Sequence, residues 1–252
     1  MNRTTALIAI GIVAVLVSAA AVYTFYPQPK VETIVQNPVA VVHTNYGNFS
    51  ILLYEDKVKP LTDHFIKYVM SGFYDDMIFH GLLKTTKDVN GVEKPYDGKM
   101  IITGKYYENL TEAKPKFQLK WNKRTDTLAG LKHTDLSVSW HLPSNTYGVI
   151  GSLWYICDGD FSGRAFHIDE NDYVFGKVIK GEQVIRKIGD MQTANLDKNN
   201  SDLSAVPVGA NNTTVVIDHI DIKRPKSSTE SDLIYGISEV MRAQYRVSAK
   251  CF

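Results

Sequence analysis

The chain has little cysteine, no run of like charge and no internal repeat. Two cysteines, Cys157 and Cys251, stand among 252 residues. They are too few for a disulfide scaffold, and their spacing fits no zinc motif. A single bridge in an oxidising compartment and two separate thiols both remain open. Lys and Arg number 28 against 27 Asp and Glu, a formal net charge of +1. No basic field is present to hold nucleic acid, and no acidic tract forms a tail. The spacing of His133, His141 and His167 does not demand a metal. No metal, cofactor or nucleic acid is expected.

What is present begins with an apolar run, Thr4 to Tyr26. It is long enough to cross a bilayer as a helix. Arg3 before it places the N-terminus inside and the rest outside. Ala19-Ala20-Ala21 offers a signal cleavage site as the alternative, giving a secreted product. Length favours a retained anchor over residues 1–26. Pro27, Pro29 and Pro38 make 27–38 an extended linker. Sequons at Asn48, Asn109, Asn199, Asn211 and Asn212 agree with export.

Residues 39–224 read as one mainly β domain. Val39–Thr44 and Asn48–Tyr54 flank a turn and predict a hairpin. Apolar residues at 61, 65, 68 and 69 predict a helix from Pro60 to a cap at Gly72, with His64 on its surface. Strands follow at Ile78–Lys84, Met100–Gly104, Leu136–Trp140, Ser152–Cys157, Tyr173–Ile179 and Thr213–Ile222. A second helix covers Gly181–Ile188. Thr85–Lys99 is a polar insertion with a tight-turn signal at Asn90-Gly91. Tyr106–Gly130 reads as loop. Short strands with two helices suggest a closed barrel capped by helices. Residues 225–252 carry a capping box, Ser227 to Glu230, and an apolar stripe. They predict a C-terminal helix, packed on the barrel or offered to a protein partner.

Six stretches carry a family resemblance, in order. They are GFYDDMIFHGLLK at 72–84, MIITG at 100–104, LKH at 131–133, SWHL at 139–142, GSLWYI at 151–156 and VFGKV at 174–178. Together they resemble the cyclophilin-type peptidyl-prolyl cis-trans isomerases from Val39 to Lys223. The resemblance implies an eight-stranded barrel and an enzyme that rotates X-Pro peptide bonds. That rotation has an uncatalysed barrier of about 18–20 kcal/mol, because amide resonance must be broken. It needs an apolar pocket for the proline ring and donors favouring the twisted amide.

The resemblance also implies site positions. The family Arg falls at Gly81, its Gln at Thr103, its Asn beside His141 and its His at Asp172. Arg164 is a candidate substitute cation. The pocket positions are Phe79, Met100, Ile101, Thr103, Trp154, Tyr155 and Ile168. His80 is expected as a hydrogen-bonded core histidine. Two functions follow: a membrane-anchored, extracytoplasmic isomerase or folding helper acting on proline-containing segments, its power reduced by the lost Arg, or a non-catalytic peptide-binding module on the same barrel.

Overall fold

Period-two burial builds the first hairpin. In β1 (Val39–Thr44) Ala40, Val42 and Thr44 are buried, and β2 (Gly47–Leu53) pairs with it antiparallel from Val39↔Leu52 to Thr44↔Gly47. The computed structural model describes residues 36–89, 92–121, 130–142, 148–161 and 172–225. The expected 1–26 anchor, most of the linker and the C-terminal helix lie outside them. Among the described residues no helix is long and apolar enough to cross a membrane.

Helix α1 (Glu55–Met70) starts before Pro60, earlier than its apolar spacing suggests. The Tyr54 carbonyl accepts from the N–H groups of Lys57 and Val58, which forms a first turn ahead of the proline. The backbone then breaks at Val58 (φ −135°, ψ 50°), and Pro60 sits just past the break. The far end is as expected. Gly72 adopts φ +63° and its N–H reaches the Val69 carbonyl at 2.9 Å, a turn that favours glycine. His64 is a correction: it is buried, with Nε2 2.9 Å from the Gly151 carbonyl. It lies between Leu61 and Tyr68 at helical spacing, so it shares their buried face.

The remaining elements are β3 (Met77–Val89), β4 (Val92–Tyr107), β5 (Leu119–Lys120), β6 (Ser137–Trp140), β7 (Val149–Ile150), β8 (Trp154–Asp158), β9 (Tyr173–Lys180), α2 (Glu182–Gly189), β10 (Gln192–Ala194), β11 (Val206–Val208) and β12 (Val216–Lys223). Eight strands close a barrel in the order β1-β12-β3-β4-β8-β6-β9-β2. The polar insertion prolongs β3 and β4 as a ladder from Lys84↔Lys99 to Val89↔Val92. Closure leaves the eight barrel strands without an open edge, while β5–β7 and β10–β11 form separate two-stranded sheets.

Aromatic side chains fill the main core. The Phe65 ring lies 5.1 Å from Phe175, 5.6 Å from Trp154, 5.7 Å from Tyr74 and 6.1 Å from Trp140. Such rings bury large apolar areas and fix α1 against the barrel. Trp140 also donates its indole N–H to the Leu61 carbonyl at 3.3 Å.

Candidate functional site

The outer face of β3, β4 and β8 carries the candidate site. A β-bulge shapes it: Phe79 pairs with Thr103, and the next pair is Gly81 with Ile102, so His80 is the extra residue. A bulge re-aims side chains at such places. Here it brings both His80 and Gly81 to the wall of one pocket of about 270 Å³, with Ile102, Leu153, Lys105, His141 and Asp202. A second pocket of about 270 Å³ adjoins it and shares Lys105, His141 and Leu153. The space beside Gly81 is therefore open. A Cβ built there would meet the Ile102 side chain first, tightly, at 3.3 Å from its Cβ.

Strand alternation sorts the expected pocket residues. Phe79, Ile101 and Trp154 point into the main core and do not line the groove. Thr103 is buried as well, its hydroxyl donating to the Ile78 carbonyl at 2.8 Å. Met100 and Tyr155 do lie together on the outer face, packed with Ile102, Cys157 and Phe161. They are at most 7% exposed, so this apolar patch is covered rather than open. Arg164 and Ile168 fall outside the described residues.

His141 and Asp172 come together. Asp172 is buried and accepts the Tyr155 hydroxyl at 2.9 Å and the Leu142 N–H at 2.9 Å. Its other contact is His141 Nδ1 at 3.5 Å. Burial, and then the Asp172 charge, raise the Tyr155 phenol well above its usual pKa and keep it a donor. The carboxylate thus fixes the His141 loop at the rim of both pockets.

Sequence reasoning missed Lys105 and Asp202. Lys105 Nζ sits 2.5 Å from Asp202 Oδ2 and 3.5 Å from Glu112. Burial works to lower the ammonium pKa, but the Asp202 hydrogen bond and charge outweigh it and raise the value. Lys105 directly follows the MIITG stretch and could have been flagged. Asp202 reaches the site from the short helical turn Ser201–Leu203, which no spacing announces.

His80 departs from expectation in one respect. It is buried, but its Nδ1 has no hydrogen-bond partner. Burial lowers its pKa to about 4. The unfolded chain, with an ordinary imidazole near 6.5, therefore binds more protons between these values. His80 should cost stability as pH falls from about 6.5 towards 4, by on the order of 2 kcal/mol at pH 5. Urea denaturation of wild type and His80→Phe at pH 7.5 and pH 5 checks this. The variant should lose less stability on acidification, and equal losses would refute the shift.

The pattern of strands, bulge and groove can be set beside known proteins. The family described as cyclophilin type peptidyl-prolyl cis-trans isomerase/CLD matches residues 39–209. A peptidyl-prolyl cis-trans isomerase of Acinetobacter baylyi is 28% identical over 159 residues, covering 63% of this chain and 75% of that protein. One from Arabidopsis thaliana is 27% identical over 164 residues, covering 64% and 86%. A Cryptosporidium parvum cyclophilin type isomerase, crystallised in the presence of the dipeptide Ala-Pro, has a similar fold. Its TM-score is 0.50 at 18% identity, over 74% of this chain and 99% of that one. The chain belongs to the cyclophilin-type peptidyl-prolyl cis-trans isomerase family.

Proposed function

We propose that the groove beside Gly81 takes proline-containing segments and that the protein is a weak prolyl isomerase or folding helper held outside the cell membrane. The observation that carries the reading is the open, partly apolar groove where the family has its Arg. Ile102, Leu83 and Leu153 supply apolar wall, and Lys105 and His141 supply donors at the rim. Lys105 is already engaged by Asp202, so little cationic stabilisation is left for the twisted amide. Binding should survive better than catalysis.

Two measurements test this on the full chain in detergent micelles. Amide shifts of groove residues should respond to an Ala-Pro peptide. Isomerisation of a proline peptide should be accelerated, but less than by a relative that keeps the Arg. Binding without any acceleration would favour the non-catalytic module, and no binding would remove both readings. The apolar run of 4–26 and Arg3 support the outward placement. Protease added to intact cells should then digest the barrel, and a protected barrel would reverse that placement.

A further inference from the structure

We propose that His43, His219 and Asp221 form a surface site for a divalent transition-metal ion, away from the groove. His43 on β1 lies directly opposite His219 on β12, and Asp221 lies opposite Val41. The β1 alternation turns His43 outward while Val42 and Thr44 are buried. On β12 the register slips after this pair, since Thr44 next pairs with Ile217 and Asp218 is the extra residue. That bulge leaves Asp218 and His219 both facing outward, and Asp221 shares their face. Bulges recur where a side chain must be re-aimed.

The ligand atoms converge. Asp221 Oδ2 is 3.3 Å from His43 Nε2 and 3.9 Å from His219 Nε2. All three groups offer atoms within 4.8 Å of one another. A tetrahedral zinc ion with bonds of about 2.0–2.1 Å would space its donors about 3.4 Å apart, close to the separations seen, but at least one imidazole must turn out of the stack to aim its Nε2 lone pair at the shared ion. The imidazole rings are stacked, with centroids 4.2 Å apart and planes 9° from parallel. The pair is partly to largely open, at 24% and 52% side-chain exposure. An exposed His–Asp ion pair alone adds little stability, and it needs one histidine, not two. Two imidazoles and one carboxylate suit Zn²⁺ or Cu²⁺ and leave outer positions for water. The sequence hid the set, because its members come from opposite ends of the domain.

The test is calorimetric titration of Zn²⁺ into the full chain in micelles, without a polyhistidine tag. One ion should bind per chain. His43→Asn and His219→Asn should each weaken it by at least about tenfold, since even outer-shell changes at metal sites cost about 10–100-fold. Asp221→Asn should weaken it as well. Co²⁺ should give the visible bands of a tetrahedral N,O site in wild type and lose them in His43→Asn. All three positions are on the surface, so the variants should fold. Zn²⁺ affinity unchanged in both histidine variants, or no binding heat and no Co²⁺ spectrum, would overturn the site.

Discussion

Replacing Gly81 by Arg should raise kcat/KM for a proline peptide by about 100-fold, the scale of one well-placed donor in a site that stabilises charge. Three features of the structure support so large an effect. The bulge at His80 aims position 81 into the open pocket. The backbone there is not left-handed, and the new Cβ would press first on the Ile102 Cβ at 3.3 Å, a tight contact that β4 must relieve by a small shift. Asp202 already accepts from Lys105 and from the Tyr106 hydroxyl at 3.2 Å, which limits its power to capture the new guanidinium.

Gly81→Lys provides the comparison. A lysine brings the same charge without the planar fork, so it should gain less. A folded Gly81→Arg with no gain would show that proline amides do not pass this position. The groove would then be a binding surface only. Urea unfolding of both variants separates that outcome from damage, because both place the same Cβ against Ile102 and should lose the same stability there.

Much of the fold could be read from local pattern. The hairpin at Val39–Leu53 and the helix cap at Gly72 follow from alternation and from a turn residue. The site was harder, because its positions depend on which face of a strand each residue occupies. Ile101 and Met100 are equally apolar, and only the register tells that Ile101 enters the main core while Met100 lies outside. The bulge at His80, one of three register shifts between β3 and β4, changes that parity along β3. No propensity marks an extra residue of this kind. His64 failed for a different reason: a histidine at helical spacing from Leu61 and Tyr68 was read by its polarity, but its ring is buried and reaches a carbonyl.

The final expectation concerns two departures that the structure joins into one. The resemblance implies that Tyr155 stands at a pocket position of the family and Asp172 at the position of its His. Here the first donates to the second at 2.9 Å. Asp172→Ala should take the acceptor from the buried Tyr155 hydroxyl, leaving it only Ser139, and from the Leu142 N–H. Each orphaned donor costs about 1–3 kcal/mol, so the loss should be about 3 kcal/mol. In a domain of this size that lowers Tm by about 10 °C. Tyr155→Phe in the same background should recover part of the loss, because removing both partners leaves one fewer donor unmet. Asp172→Asn keeps an acceptor and should fall between. Thermal melts of the three variants measure this. If Asp172→Ala melts with wild type, the Tyr155–Asp172 pair does not hold the rim, and His141 is positioned by something else. If it melts low but Tyr155→Phe restores nothing, the cost lies in the Leu142 backbone and the loop that carries His141.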